Sequence, residues 1–468
     1  MSPFTQPQEA DRTWFENLLG ADRVLAGEQA KDYGRDETED LFFAPGLVLL
    51  PETVEETSAI LRHCYERGIP VTPRGAGTGL SGGALPVAGG VVLAMQRFNR
   101  ILHIDEQNLQ ATVEPGVINQ VFQEAVAERA LFYPPDPASR GSCMLGGNIA
   151  HASGGPRAVK YGTTRDYVLN LEVVLPNGEV MWTGANTLKY STGYNLTHLF
   201  IGSEGTLGVV TKIVFKLLPM PRHRLLMLAP FHSARQACKA VGALFRAGLT
   251  PSCCEFMERD AIDWVLQHAP DVGITVEDAV QAHLLVEFDG NHPDVLQREA
   301  EQAFEVLDAH QAGEILLAES EAQQNSLWSM RRKVAEAVKA HSVYKEEDTV
   351  VPRAALPDLL EGVKDIGRQY GFQSVCYGHA GDGNLHVNII KGDLSETVWQ
   401  EELPKAIAEV FKLCHRLGGT ISGEHGIGWV QKGYMPLVQP PHHLGLQRGI
   451  KQLFDPKGIL NPGKIWPE

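Results

Sequence analysis

The chain has 468 residues, 43% of them hydrophobic, enough for two to four domains at roughly 100 to 200 residues each. Its 41 Lys and Arg face 57 Asp and Glu, a formal charge of −16 without a long basic run, which disfavours nucleic acid or an anionic membrane as partner. No apolar run nears the roughly 18 residues that cross a bilayer, the start Met1-Ser2-Pro3-Phe4-Thr5-Gln6 has no basic or apolar leader, and the seven cysteines form no Cys-x-x-Cys pair. Export, a disulfide framework, and an iron–sulfur cluster or zinc ribbon within the chain are therefore not expected. The expected compartment is the cytoplasm, with a partner able to bring the chain to a membrane surface.

In chain order, Leu47–Leu50 reads as a strand. Thr53 with Glu56 forms a capping box, Ile60, Leu61 and Cys64 give the helix after it an apolar face, and Gly68 closes that helix. Strands follow at Ile69–Thr72, Val91–Met95, Ile101–Ile104 and Gln110–Val113, then a helix at Ile118–Arg129. Tyr167–Leu175 and Glu179–Trp182 alternate about Pro176-Asn177-Gly178, a hairpin signal. Leu207–Leu218 is strand-like and ends at Pro219-Met220-Pro221, read as a domain boundary. Beyond it, helices at Ala234–Ala247, Val295–His310 and Glu321–Ala340 flank strands at Leu284–Phe288 and Glu314–Leu317, the texture of an α+β domain. Pro436–Pro441 reads as loop.

The 47 glycines, about 10% against a usual value of about 7%, gather in clusters. Gly77-Thr78-Gly79-Leu80-Ser81-Gly82 satisfies the G-x-G-x-x-G pattern after a strand. A dinucleotide fingerprint needs a helix opening at those glycines, and Gly82, Gly83, Pro86, Gly89 and Gly90 interrupt one. The loop can still form a nest of backbone N–H groups around a diphosphate, or it is simply a tight turn. Tyr133-Pro134-Pro135-Asp136-Pro137 and Gly146-Gly147-Asn148 punctuate the same domain without resembling hairpin loops, which favours a large, flat, phosphorylated cofactor.

The run Arg74 to Gly83, with Pro134 to Pro137, Gly146 to Asn148, Tyr161-Gly162 and Gly202-Ser203-Glu204-Gly205-Thr206-Leu207-Gly208, resembles the FAD domain of the vanillyl-alcohol-oxidase-type flavoproteins. Within them it is most similar to the glycolate oxidase catalytic subunit, D-lactate dehydrogenase and D-2-hydroxyglutarate dehydrogenase branch, over nearly the whole chain. The resemblance implies an α+β fold. An N-terminal segment (1–42) would precede a two-subdomain FAD-binding domain of the PCMH type (43–220) and an α+β cap domain with an antiparallel sheet (221–440). A C-terminal segment (441–468) would return to the FAD domain. It also implies that Arg74, Gly75, Ala76, Gly77, Thr78, Gly79, Leu80, Ser81 and Gly82 cradle the FAD pyrophosphate. Pro135, Asp136, Gly146, Gly147, Asn148, Gly154, Tyr161, Gly162, Glu204, Gly208 and Asn461 would fall in the segments lining the cofactor. The first loop has no histidine for covalent attachment, so the FAD is expected to be dissociable.

Two further motifs lie at Tyr377 to Asn388 (Y-G-H-A-G-D-G-N-L-H-V-N) and at Ser422 to Gly428 (S-G-E-H-G-I-G). Taken singly, each histidine could be a core or surface group and Gly381-Asp382-Gly383 a turn. Together, two histidines and a carboxylate that leave an open position suit a catalytic divalent ion, and His379, His386 and Glu424 are the natural set. In a strand over Leu385–Ile390, His386 and Asn388 share a face, so Asn388 is expected to touch what the ion holds. The resemblance implies the same ligands, with zinc ahead of manganese or iron, and implies His425 as the base. In Trp328-Ser329-Met330-Arg331, relatives use the arginine to clamp the substrate carboxylate with its planar fork. The role falls to Arg331, with Arg332 as the fallback and a solvated basic helix face as the plain reading.

The expected function is FAD-dependent oxidation of a small D-2-hydroxy acid, D-lactate or glycolate ahead of D-2-hydroxyglutarate, to the 2-oxo acid. Electrons would leave to a separate acceptor, an iron–sulfur or flavoprotein partner subunit among them, and a homodimer is expected. The rivals are a flavin-binding subunit of a glycolate oxidase complex and a metal hydrolase, which would leave the glycine clusters unexplained.

Overall fold

The computed structural model describes residues 4–270 and 274–467. Its helices and mostly antiparallel sheets divide into two compact units: Met1–Gly154, Thr163–Met220 and Glu424–Glu468 form the first, Gly155–Gly162 and Pro221–Gly423 the second.

The first unit holds two main sheets. In the four-stranded one, Leu47–Leu49 and Val71–Arg74 both run parallel to Val91–Ala94, while Val24–Leu25 pairs antiparallel at the edge. The helix Val54–Arg67 links the first two parallel strands and covers them with Ile60, Leu61 and Cys64, all fully buried. Burying the two aliphatic side chains contributes roughly 1.5–3 kcal/mol each. Thr53 Oγ1 accepts from the Glu56 N–H at 3.1 Å, and Gly68 closes the helix at φ +68°. The reciprocal half of the expected capping box is not made: the Glu56 carboxylate accepts instead from the Glu52 N–H at 2.7 Å and from Arg23 at 2.8 and 2.9 Å. A charge-assisted pair with a guanidinium outweighs one neutral backbone bond.

The five-stranded sheet is wholly antiparallel, in the order Ile101–Asp105, Gln110–Val113, Val209–Lys216, Val168–Val174, Val180–Trp182. The C-terminal segment returns to the four-stranded sheet of this unit. The Val71 N–H donates to Ile459 O at 2.8 Å, and the Asn461 N–H to Val71 O at 2.7 Å. Ahead of it, Pro441–Phe454 is a helix rather than plain tail.

The second unit is built on one seven-stranded antiparallel sheet, ordered Leu316–Leu317, His223–Phe231, Ala282–Gly290, Cys253–Glu258, Gln373–Gly378, Asn384–Ile390, Tyr344–Val350. Successive side chains on a strand point to opposite faces, so the register assigns each face. Cys253, Glu255 and Met257 share one face with Leu285 and Glu287 opposite them, with Tyr377 and Val375, with His386 and Asn388, and with Glu346 and Asp348. Helices Arg259–His268, Glu321–Arg332 and Val334–His341 cover that face through Ile262, Val265, Leu327, Trp328, Met330 and Val334. The single helix expected over 321–340 is therefore two, broken at Lys333.

Candidate functional site

In the first unit the glycine-rich stretch leaves the end of the strand Val71–Arg74 and runs as irregular backbone, with no helix opening on it. Its far end is fastened: the Gly82 N–H donates to Thr38 Oγ1 at 2.7 Å, and Ser81 Oγ donates to His425 O at 2.9 Å. Residues 75–80 between these anchors are half-buried. Gly75 and Gly147 approach one another, since a Cβ on Gly75 would lie 3.8 Å from the Gly147 N, whereas a Cβ on Gly147 would meet nothing within 4 Å.

The helix Leu145–His151 carries Gly146, Gly147 and Asn148. Asn148 Nδ2 donates to Asn119 Oδ1 at 3.0 Å, and Asn119 Nδ2 donates to Pro135 O at 3.1 Å, bracing the Pro134-Pro135-Asp136 segment against the helix. Among the described residues of this unit, two buried nitrogens, Arg74 Nη1 and His151 Nδ1, have no hydrogen-bond partner. Burial pushes the Arg74 guanidinium below its usual value, with Asp36 opposing the shift. An unpartnered buried guanidinium nitrogen at the root of a glycine loop fits a diphosphate, which would supply the missing acceptor. The residues present thus fit FAD.

The segment from Glu424 is tied to the same loop. The Glu204 carboxylate accepts from the Ile427 N–H at 2.8 Å and the Gly428 N–H at 2.7 Å, and the Trp429 N–H donates to Ser81 O at 2.8 Å. Gly428 sits at φ +53° with its Cα so close to Ser81 O that a Cβ would collide with it, so only glycine fits. Glu424 lies beside Gly154, where an added Cβ would stand 2.9 Å from Glu424 Oε1. Asn461 Nδ2 donates to Gly83 O at 3.0 Å and to Glu204 O at 2.7 Å. Lys464 Nζ, buried, donates to Leu85 O at 2.6 Å and Asn461 Oδ1 at 3.1 Å, and burial pushes its pKa down to about 7. Gly208 is a packing glycine: a Cβ there would lie 2.7 Å from the Phe200 ring.

Tyr161 and Gly162 cluster with the second unit, where Tyr161 Oη donates to the Asp289 carboxylate at 2.8 Å and Lys160 Nζ joins it at 2.5 Å. In that unit, the helix-covered face of the sheet carries a buried polar row. Glu255, fully buried, accepts from His379 Nδ1 at 2.9 Å and from Arg331 Nη2 at 2.7 Å. Burial pushes its carboxyl up, but the His379 imidazole and Arg331 guanidinium outweigh that and hold it below the usual carboxylate range. His386 Nδ1 meets Glu346 at 3.0 Å, and the His379 and His386 rings stand edge to face with centroids 5.4 Å apart. The Tyr377 ring stacks on His386 at 5.5 Å, and Arg331 lies over that ring at 5.1 Å. Burial, reinforced by Glu346, raises the Tyr377 phenol well above its ordinary pKa.

The carboxylate on His379 Nδ1 leaves that ring's Nε2 as the lone pair, the arrangement metal-binding imidazoles adopt, and His386 stands beside it with a second carboxylate, Glu346, within 3.0 Å. The donor set in this unit therefore fits a divalent ion. The donor Arg331 Nε and the acceptor Asn388 Oδ1 are among the buried atoms of this unit with no hydrogen-bond partner. Asp348, fully buried, accepts from Asn384 Nδ2 at 2.7 Å, Ser422 Oγ at 2.9 Å and the Gly423 N–H at 2.8 Å, fastening Ser422-Gly423 to the sheet. Arg332 is not on the row; it lies over the Trp328 ring at 5.1 Å.

Two family models match the sequence: FAD linked oxidases, C-terminal domain, over residues 220–465, and FAD binding domain over residues 45–184. The chain belongs to the FAD-linked oxidases. Among curated relatives of this family it is 38% identical to glycolate oxidase subunit GlcD of Bacillus subtilis, over 93% of this chain and 92% of that one. It is 37% identical to D-lactate dehydrogenase of Anaerostipes hadrus (95% and 94%) and 35% identical to D-2-hydroxyglutarate dehydrogenase of Xanthomonas citri (93% and 92%). Among solved structures, p-cresol methylhydroxylase with substrate bound shares the fold, with a TM-score of 0.79 at 20% identity over 99% of this chain and 98% of that one. The α+β expectation with its antiparallel sheets holds, and the chain is an FAD-linked oxidoreductase of the branch that those relatives define. No described helix is long and apolar enough to cross a membrane.

Sequence reasoning missed Glu255, Glu346, Asp348, Asn119 and His151. For the first three a signal existed: Glu255 and Glu258 stand in the strand Cys253–Glu258 and Glu346, Glu347 and Asp348 run together in Tyr344–Val350, and a carboxylate inside a buried strand requires a partner.

Proposed function

We propose that this chain oxidises a small D-2-hydroxy acid, D-lactate or glycolate ahead of D-2-hydroxyglutarate, to the 2-oxo acid and passes the electrons to a separate acceptor, a partner subunit among the candidates. The observation that carries this reading is that Arg331 Nε and Asn388 Oδ1, both buried and without a hydrogen-bond partner, lie on the row that also holds His379 and His386, each beside a carboxylate. A donor with full charge and a neutral acceptor are what a carboxylate and an adjacent hydroxyl call for. Leaving either unpaired costs about 1–3 kcal/mol, so a ligand that satisfies both is favoured over water-sized partners that satisfy one.

In this reading Arg331 binds the substrate carboxylate and Asn388 orients its hydroxyl. His425 takes the hydroxyl proton on an imidazole nitrogen, a role for a group that titrates near neutrality. Bound FAD, held by the loop 74–82 and the 146–148 helix, would supply the two-electron acceptor. A divalent ion, zinc ahead of manganese or iron, would be held by His379 and His386 with Glu424 completing the set, and would supply Lewis acidity toward the hydroxyl.

The test is anaerobic bleaching of the flavin absorption in the purified protein against a panel of D- and L-2-hydroxy acids. Bleaching by D-lactate or glycolate and not by L-lactate is expected. A flavin that no 2-hydroxy acid bleaches would remove the proposal.

A further inference from the structure

Glu255 touches both halves of the chemistry assigned above. It sits on the strand Cys253–Glu258, opposite Leu285, without any exposure to solvent. Its two oxygens accept from His379 Nδ1, each at 2.9 Å, and Oε2 also accepts from Arg331 Nη2 at 2.7 Å. One carboxylate therefore fixes the tautomer and plane of an imidazole and the orientation of a guanidinium. Arg331 has one further neighbour that limits it, the Tyr377 ring beneath it, and its Nε stays free of protein partners. His386 lies beside a different carboxylate, Glu346, at 3.0 Å. His379 and Arg331 thus share one carboxylate, whereas His386 meets the arginine through the Tyr377 ring that both contact.

We infer that Glu255 is a positioning residue that couples metal affinity at His379 to recognition of the substrate carboxylate by Arg331. This rests on the reading of His379 as a metal ligand and Arg331 as the carboxylate clamp. An amide there carries no charge and one acceptor oxygen in place of two, and in either orientation its NH₂ replaces an oxygen that now accepts from His379 Nδ1. The charge-assisted bond to Arg331 weakens and the imidazole is pushed from its present orientation, so metal and substrate binding weaken together.

The experiment compares wild type, Glu255→Gln and Glu255→Asp as purified FAD-loaded proteins. Each is stripped of metal and titrated with Zn²⁺ and with Mn²⁺ against a competing chelator, and in parallel KM and kcat for D-lactate are measured at saturating metal. Glu255→Gln is expected to lose about 10- to 100-fold in metal affinity, the usual cost of removing a histidine's outer partner. Its KM should rise at least tenfold even with metal saturating, and Glu255→Asp should recover part of both. Metal affinity and KM both within twofold of wild type would overturn the inference, as would a change in only one of them. A purely structural role would lower the melting temperature or yield while leaving the KM of the folded fraction unchanged. If Glu255→Gln does not fold, Glu255→Asp alone decides, by the same paired shift at smaller size. Wild type that binds neither ion would instead bring down the reading on which the inference rests, whereas wild type that binds metal and turns over D-lactate, beside an indifferent Glu255→Gln, refutes the coupling alone.

Discussion

Replacing Arg331 by lysine keeps the charge and removes the fork. In the native row Nη2 is 2.7 Å from Glu255 and Nε is buried without a partner, so the guanidinium serves its internal carboxylate and still offers a second donor. A lysine ammonium is a single point, and the adjacent Glu255 claims it. The substrate then loses one hydrogen bond to a charged donor, worth about 1.5–3 kcal/mol. At 1.4 kcal/mol per decade that is a rise of about 10- to 150-fold in the dissociation constant for D-lactate. Stopped-flow reduction of the flavin under anaerobic conditions separates the terms: the substrate concentration at half-maximal rate should rise by that factor, and the limiting rate much less. A half-saturation within twofold of wild type, in protein that keeps its flavin, would refute Arg331 as the clamp.

His425→Ala should abolish most turnover while leaving flavin content unchanged, and a wild-type rate in that variant would exclude His425 as the base. Asp348→Asn puts an amide where three donors converge and leaves one or two of them unsatisfied, a loss of about 2–5 kcal/mol that a thermal melt should register as a drop of several degrees; an unchanged melt would contradict the hub role. Lys464 has a folded pKa near 7 against an ordinary 10.5, so between those values the unfolded chain binds more protons and wild-type stability rises with pH. Lys464→Met should remove that rise, and parallel urea midpoints for the two proteins at pH 7 and pH 9.5 would show the burial argument to be mistaken.

The parts legible in the sequence were those with a local rule behind them. The strand Asn384–Ile390 and the shared face of His386 and Asn388 follow from period-two alternation, and the helix Val54–Arg67 follows from its cap and its closing glycine. The glycine loop was readable because its many helix breakers exclude the alternative. What stayed hidden was long-range: Glu255 lies 124 residues from His379, and nothing local in Cys-Cys-Glu-Phe-Met-Glu says which imidazole it faces. The break at Lys333 is likewise invisible to periodicity, because both halves of 321–341 carry apolar residues to the same face. The helix Pro441–Phe454 was passed over because prolines mark its start as readily as they mark a loop. Tyr161 shows the opposite limit, since a motif segment can leave one compact unit for another within eight residues, Gly155–Gly162.

The strand that carries His386 and Asn388 is paired on both sides, with Tyr344–Val350 along seven residues and with Gln373–Gly378 along five. Sliding it by one position would turn Leu385, Val387 and Ile389 toward the polar row and bury His386 and Asn388 among hydrocarbon. Descendants of this chain can therefore explore new substrates by exchanging side chains along that strand, while any insertion or deletion within it is closed to them.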